Sequence, residues 1–131
     1  MMAFTLQAIQ EAHAKYTGVD FPKLIREFKL MGMAANTFNL KTGVVTYTSN
    51  DGERIEVQGK AVDVPINHTS SGEGASSVLK RHQAGETDFD TFCIEIAGAG
   101  VYKWVSNINT MTCSYYDLRE SVVVSEAIPA V

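Results

Sequence analysis

A repeat with an offset of 68 residues constrains this sequence more than any other feature. Positions 20–52 align with 88–120 without a gap, and seven of the 33 pairs are identical, whereas random pairing gives roughly two. The matched residues are of the kinds that define local structure, which makes an internal duplication the best explanation. The identical pairs are Asp20/Asp88, Phe21/Phe89, Glu27/Glu95, Gly32/Gly100, Asn39/Asn107, Thr42/Thr110 and Tyr47/Tyr115.

Each copy predicts a helix that begins at an aspartate and ends at a glycine. Asp20 and Asp88 stand where an N-cap side chain accepts hydrogen bonds from the first free backbone amides. Gly32 and Gly100 stand where a helix ends in the left-handed conformation. Between them, apolar residues follow the i, i+3, i+4, i+7 spacing of one helix face. These residues are Phe21, Leu24, Ile25 and Phe28 in the first copy and Phe89, Phe92, Cys93 and Ile96 in the second.

Extended segments follow each of these helices. Hairpins are predicted over 33–39 with 43–49 and over 101–107 with 110–116, each with an asparagine at its turn. A third short strand is expected at Arg54–Gln58 and at Ser121–Ser125, and a preceding helix at about Leu6–Tyr16 and Ala75–Ala84. These two preceding helices align with each other only when the offset between the repeats is changed by one residue.

The fold class that follows is α+β. We expect a single domain over residues 1–131, built from two diverged helix-helix-three-strand repeats at about 5–60 and 74–129. The two three-stranded meanders should join into one antiparallel sheet with the helices packed on one face. The polar, glycine-rich segment 67–77 is predicted to be a mobile surface linker between the repeats.

The charge and the hydropathy of the chain argue against two classes of partner, nucleic acids and membranes. The net charge is −4 and the basic residues are scattered, which argues against a nucleic-acid partner. No window approaches the roughly 20 apolar residues of a membrane span, and the first residues do not resemble a signal peptide, so we expect a cytoplasmic protein with no membrane partner. Cys93 and Cys113 fall at inward-pointing positions and are predicted to be buried free thiols.

The second hairpin predicts which side chains face the helices. With a two- or four-residue turn its paired positions sum to 217, so that Tyr102 faces Tyr115 and Trp104 faces Cys113. A three-residue turn would change this register. We expect the aromatic side to be the core, with packing favoured over ligand contact for the aromatic residues. The opposite, open side is predicted to carry Val101, Lys103, Val105, Thr112, Ser114 and Tyr116, and Met33, Ala35, Thr37, Val44, Thr46 and Thr48 in the first copy.

The sequence contains no recognisable catalytic or metal-binding motif. His82 could act as a general base oriented by Asp88, but a histidine in a last helical turn beside a capping aspartate is the favoured interpretation. The loop Ser70–Gly74 lacks the phosphate-binding pattern and is interpreted as linker. We therefore predict no catalytic residues, no metal and no cofactor, and regard an enzyme as the less favoured outcome.

Two functions stay open. In the first, the chain is a non-enzymatic interaction module that binds a second copy of itself or an unknown protein partner through Lys103, Thr112 and Tyr116 on the open face. In the second, it is a small-molecule-binding protein or an enzyme with a pocket at the seam between the repeats. The residues predicted to line such a pocket are His82, Tyr102, Trp104 and Tyr115.

A further set of residues in the second copy is distinctive: His82-Gln83-Ala84-Gly85-Glu86, Asp88-Phe89, Phe92, Ala99-Gly100-Val101, Trp104, Met111-Thr112-Cys113, Tyr115-Tyr116-Asp117 and Ile128-Pro129. In these residues the second copy resembles a known family, the short bacterial proteins of domain-of-unknown-function family 1398. The resemblance implies a compact bacterial protein of prophage origin, since some members are labelled phage envelope protein, and it supplies no catalytic residue or cofactor. The first copy has Asn36 at the counterpart of Trp104, so a site built on the tryptophan would exist once.

Overall fold

The computed structural model describes residues 4–17 and 20–129, and within these ranges the chain forms four helices and six strands. The predicted helix-helix-three-strand order occurs twice, which confirms the α+β class. The first repeat contains α1 (Leu6–Tyr16), α2 (Phe21–Leu30), β1 (Met33–Asn39), β2 (Val44–Ser49) and β3 (Arg54–Gln58). The second contains α3 (Gly72–Gln83), α4 (Phe89–Gly98), β4 (Lys103–Asn107), β5 (Thr112–Tyr116) and β6 (Val122–Ala127).

The six strands form one antiparallel sheet in the order β3-β2-β1-β4-β5-β6. The two meanders meet at the centre, where Thr37 of β1 pairs with Val105 of β4. These two residues are repeat counterparts, 68 positions apart, so a pseudo-twofold axis passes between them. The seam between the repeats is therefore the centre of the sheet.

The predicted helix ends are confirmed in both repeats. The carboxylates of Asp20 and Asp88 each accept a hydrogen bond from the backbone amide three residues on, at 3.2 and 2.7 Å. The hydrogen bonds at Asp88 hold the pKa of that carboxyl below its ordinary value. Gly32 and Gly100 follow α2 and α4 with φ of 85° and 92°, the left-handed conformation expected of them.

The core lies between the helices and one face of the sheet, and both repeats contribute to it. The ring of Phe28 in α2 packs edge-on against Tyr47, and the ring of Phe92 in α4 packs against Trp104, with centroids 6.1 and 5.5 Å apart. Both cysteines are buried free thiols, as predicted. Three pairs of repeat counterparts have no exposed surface at all: Phe28/Ile96, Met33/Val101 and Leu40/Ile108.

Leu40 and Ile108 belong to the core although the sequence places them in turns. Each is fully buried, and each donates its backbone amide across the seam. The Leu40 amide donates to the Tyr102 carbonyl at 2.7 Å, and the Ile108 amide donates to the Ala34 carbonyl at 2.8 Å. The two bonds are related by the pseudo-twofold axis, so each turn serves as a clamp between the repeats.

The predicted register of the second hairpin is wrong by two residues. Trp104 pairs with Tyr115 and not with Cys113, so Tyr115 is not the partner of Tyr102. The turn closes one position later than expected because Met111 adopts a left-handed φ of 54°. A shift of two leaves the side chains of the paired residues on their predicted faces, and Trp104 still points toward the helices.

Two residues assigned to the open face lie in the core instead. Met33 and Val101 are both fully buried. The β1–β2 register shifts between Met33 and Ala35, and such an irregularity moves a side chain to the other face of the sheet. Val101 precedes β4, and its amide donates to the Ile96 carbonyl at the end of α4.

The segment predicted as a linker is shorter than expected and is fixed to α4. Helix α3 begins at Gly72 rather than near residue 75, because the Ser71 hydroxyl accepts a hydrogen bond from the Gly74 amide and caps it. Before this helix, the amides of Asn67 and Ser71 donate to carbonyls in the last turn and at the cap of α4. The segment lies on the surface as predicted, while β6 covers Val122–Ala127 instead of Ser121–Ser125.

Candidate functional site

The helix-facing side of the seam has one aromatic end and one polar end. Phe38 pairs with Trp104 on one side of the pseudo-twofold axis, and Asn36 pairs with Ser106 on the other. Trp104 is the repeat counterpart of Asn36, and Ser106 is the counterpart of Phe38. The duplication therefore supplies the same strand pairing at both ends of the seam but different chemistry, because the Phe38–Trp104 pair is aromatic and the Asn36–Ser106 pair is polar.

The aromatic end carries a cluster of five rings. The rings of Phe38 and Trp104 are stacked, with centroids 4.9 Å apart. Phe89, the first residue of α4 after the Asp88 cap, meets Phe38 edge-on at 5.6 Å. We call this group the aromatic cluster: Phe38, Phe89, Phe92, Trp104 and Tyr115.

A pocket of about 260 Å³ adjoins the aromatic cluster, and both repeats line it. The segment 59–63, which follows β3, forms one wall, the first turns of α4 form another, and Phe38 lies between the two repeats at the seam. The apolar lining side chains are Phe38, Ala61, Val62, Phe89, Cys93 and Ile94. The charged ones are Lys60, Asp63 and Asp90.

Backbone contacts with the β1–β2 turn fix the wall at 59–63. The Gly59 amide donates to the Gly43 carbonyl and the Val62 amide donates to the Leu40 carbonyl, each at 2.9 Å. Gly43 has a φ of 77°, and a side chain there would meet the carbonyl oxygen of Gly59 at 2.6 Å. Glycine is therefore required at Gly43 for this wall to stand where it does.

The charged groups of the pocket give it a negative rim. Lys60 and Asp63 form an exposed ion pair at 3.9 Å, whereas Asp90 forms no ion pair within 4 Å in the described part of the chain. Burial, and to a smaller degree the charge of Asp90, raises the pKa of the Cys93 thiol to about 12. The thiol is therefore protonated at neutral pH and contributes an apolar surface rather than a thiolate nucleophile.

None of the four residues predicted for the pocket is among those that line it, but three of them lie in or beside the aromatic cluster. Trp104 and Tyr115 are members of the aromatic cluster, with centroids 5.8 Å apart. His82 stacks on the outer member Phe92 at 4.3 Å, and its Nδ1 lies 3.1 Å from the carbonyl oxygen of Thr87. Because a carbonyl only accepts, Nδ1 carries the hydrogen in this contact. His82 thus packs against the aromatic cluster through Phe92 and is not among the residues that line the pocket.

Tyr102 lies elsewhere, in a group at the edge of the open face. Its hydroxyl donates to the Glu120 carboxylate, and the ammonium group of Lys103 lies 5.5 Å from the centre of its ring. Lys103 also lies 5.1 Å from the ring centre of Tyr116 and forms a 2.6 Å ion pair with Glu120. Two of the residues predicted for the interaction face, Lys103 and Tyr116, are therefore neighbours, whereas Thr112 lies at the far end of the same face.

The sequence analysis did not identify the walls of the pocket. No element was predicted for segment 59–63, which follows the strand expected at Arg54–Gln58, and Phe89 was assigned to the apolar face of its helix. Phe89 is in fact 49% exposed, and its counterpart Phe21 is 48% exposed. The sequence did contain a signal for this exposure. Both phenylalanines directly follow an N-cap and so begin a helix, where neighbouring turns cover an apolar side chain only in part.

The fold and the site together define a class of protein: a duplicated helix-helix-meander domain with an apolar pocket at its seam. The chain belongs to the family described as protein of unknown function (DUF1398), whose model matches residues 10–127. It is also similar to the uncharacterized protein YcgX of Escherichia coli (strain K12), with 23% identity over 109 residues, which cover 83% of this chain and 81% of that protein. In the described ranges, no helix is long and apolar enough to cross a membrane.

Proposed function

We propose that this protein binds a small apolar molecule, and that the ligand occupies the pocket between segment 59–63 and α4. The observation that carries the proposal is that both repeats contribute to one apolar concavity beside a cluster of five aromatic rings. Ligand sites in proteins are typically concave and largely apolar, with a few polar groups that set orientation.

The dimensions of the pocket limit the ligand. Its volume of about 260 Å³ lies just below the range of roughly 300–1,000 Å³ that is usual for ligand pockets. One aromatic ring or a short branched chain fills such a volume. The edge-on arrangement of Phe38 and Phe89 suits a flat ring, because aromatic groups prefer offset or edge-to-face contacts.

The protonated thiol of Cys93 and the position of His82 favour binding over catalysis. The Cys93 thiol is protonated at neutral pH, and His82 stands behind Phe92 rather than at the pocket. These features support a binding protein whose ligand leaves unchanged.

The single tryptophan provides the test. Trp104 is stacked on Phe38, which lines the pocket, so a ligand that moves Phe38 changes the emission of Trp104. Titration with 2-phenylethanol should shift that emission with a saturable curve. The variant Phe89→Ala should weaken binding, whereas its matched control Phe21→Ala, equally exposed on the homologous helix, should not. Equal effects of the two variants would place the ligand outside this pocket.

The open face of the sheet favours a second candidate function, docking of a second copy of the chain. Small side chains run across five of the six strands there, in rows such as Thr46, Thr37, Val105, Ser114 and Ser125, and the charged Glu56 of β3 ends this row. Native mass spectrometry of the gently purified protein tests it. A dimer that dissociates when Lys103, Thr112 and Tyr116 are replaced together supports docking, and a monomer contradicts it.

The prophage origin implied by the sequence resemblance stays a prediction, because neither the family description nor the relative's name mentions a phage.

A further inference from the structure

We infer that the ligand of the seam pocket carries a positive charge, as a protonated amine on a short arm attached to an apolar ring. This inference rests on the proposed function, since it names the class of molecule that the same pocket accepts. The amine would lie at the rim beside the carboxylate of Asp90, and the ring would lie against Phe38 and Phe89.

The charge balance of the rim gives the first argument. Lys60 and Asp63 neutralise one another at 3.9 Å, and both side chains are more than two thirds exposed. Asp90 lies on the opposite wall, on α4, and forms no ion pair within 4 Å in the described ranges, so the three charged groups of the rim leave one net negative charge. A cationic ligand therefore gains a favourable contact, whereas an anionic ligand meets repulsion.

The start of α4 could be thought to attract an anion instead. A free helix N-terminus does so through its unpaired backbone amides and the positive end of its dipole. Here the Asp88 carboxylate already occupies that position, since it accepts a hydrogen bond from the Thr91 amide at 2.7 Å. Asp90 in the same first turn adds a second negative charge. The N-terminus is thus already compensated by carboxylates.

The aromatic walls give the second argument. Phe38 and Phe89 meet with their ring planes at 84°, so one ring presents its edge to the face of the other. The faces of aromatic rings carry negative charge density, so these walls favour a cation over an anion in their neighbourhood. Both the carboxylate and the rings therefore favour the same sign of charge in the ligand.

Comparison of the two repeats shows that the carboxylate of Asp90 occurs in the second copy only. The counterpart of Asp90 in the first repeat is Pro22, and the counterpart of Ile94 is Arg26. The homologous helix α2 thus lacks the carboxylate and carries a positive charge one turn later. A preference for cations should accordingly depend on α4 alone.

Three probes of nearly equal size test the inference: 2-phenylethylamine, 2-phenylethanol and phenylacetate. The amine is protonated at neutral pH, as a lysine side chain is. Measured through Trp104 emission at low salt, the amine should bind about two- to fivefold more tightly than the alcohol, the range expected for an exposed charge pair. Phenylacetate should bind most weakly, and the differences should shrink at high ionic strength.

Two variants locate the effect. Asp90→Asn should bring the affinity for the amine to that for the alcohol, while the affinity for the alcohol stays the same. Asp51→Asn, which removes another exposed carboxylate outside the lining of the pocket, should leave the preference intact. Equal binding of amine and alcohol by the natural protein, or a preference that survives Asp90→Asn, would overturn the inference while the proposed function stands. Binding of none of the three probes would overturn both.

Discussion

The indole ring of Trp104 stacks on the phenyl ring of Phe38, with centroids 4.9 Å apart and planes inclined by 10°. The two residues pair directly across the seam, one from each repeat. The contact is therefore part of what holds the two repeats together, and one of its two rings, that of Phe38, also lines the pocket. Stability and ligand binding are coupled at this point.

Replacement of Trp104 should lower the free energy of unfolding substantially. Its ring contacts four other rings and is half buried, so Trp104→Ala should cost about 2–4 kcal/mol, somewhat less than a fully buried tryptophan. Trp104→Phe retains most of the contacts and should cost about half as much. Urea unfolding followed by circular dichroism measures both values. A loss below 0.5 kcal/mol for Trp104→Ala, on the order of an ordinary surface change, would contradict this role of the seam.

The duplicated clamps predict a matched pair of core effects. Leu40 and Ile108 are both fully buried, so Leu40→Ala and Ile108→Ala should each lower the free energy of unfolding by about 2–5 kcal/mol. Lys41→Ala changes an exposed neighbour in the same turn and should have an effect within about 0.5 kcal/mol. Thermal and urea unfolding compare the three variants. If Leu40→Ala behaved like Lys41→Ala, the turn would not belong to the core.

Features that depend on neighbouring residues were predicted correctly from the sequence. The caps at Asp20 and Asp88 and the glycines at the helix ends are determined within a few residues, because each satisfies backbone groups of its own helix. The repeat then strengthened every such prediction, since each local pattern was seen twice. This is why the helices α2 and α4 and the six strands were found nearly at their true bounds.

Features that depend on distant residues were not predicted. The burial of Leu40 and Ile108 follows from the pairing of β1 with β4, which no local pattern determines. Met33 points into the core because of an irregularity in the strand register, and the second hairpin is shifted because of the left-handed Met111. The pocket combines residues about 30 positions apart, at segment 59–63 and at Phe89, so it emerges only when the repeats are joined.

Gly43 should be essential to both stability and binding. A left-handed φ alone disfavours alanine by about 1–2 kcal/mol, which is the expected cost of Gly52→Ala, where nothing lies within 4 Å of the new carbon. Gly43→Ala adds a clash with backbone atoms of segment 59–63 at 2.6 Å and should cost about 3 kcal/mol or more. It should also displace the wall of the pocket and weaken 2-phenylethanol binding, whereas Gly52→Ala should bind normally. Titration and urea unfolding of both variants decide this, and equal behaviour of the two would contradict it.

The stability of the protein should fall in mildly acidic solution because of His13. Burial lowers the pKa of this imidazole below its ordinary value of 6.5, and its two ring nitrogens lie 2.8 Å from the Thr17 hydroxyl and 3.0 Å from the Tyr47 hydroxyl. The unfolded chain therefore binds a proton more readily than the folded chain. Stability is fully present above pH 6.5 and is lost as the pH falls from there through the lower pKa of the folded state.

His13→Gln isolates this effect, because glutamine keeps a polar side chain but does not titrate. Urea unfolding between pH 7 and pH 5 should show a declining free energy of unfolding for the natural protein and a flatter profile for the variant. The carboxyls of Asp88 and Asp117 do not confuse the result, since their pKa values are lowered from 3.8 and they lose their contribution only in stronger acid. An unchanged slope in His13→Gln would mean that another group binds the proton in this range.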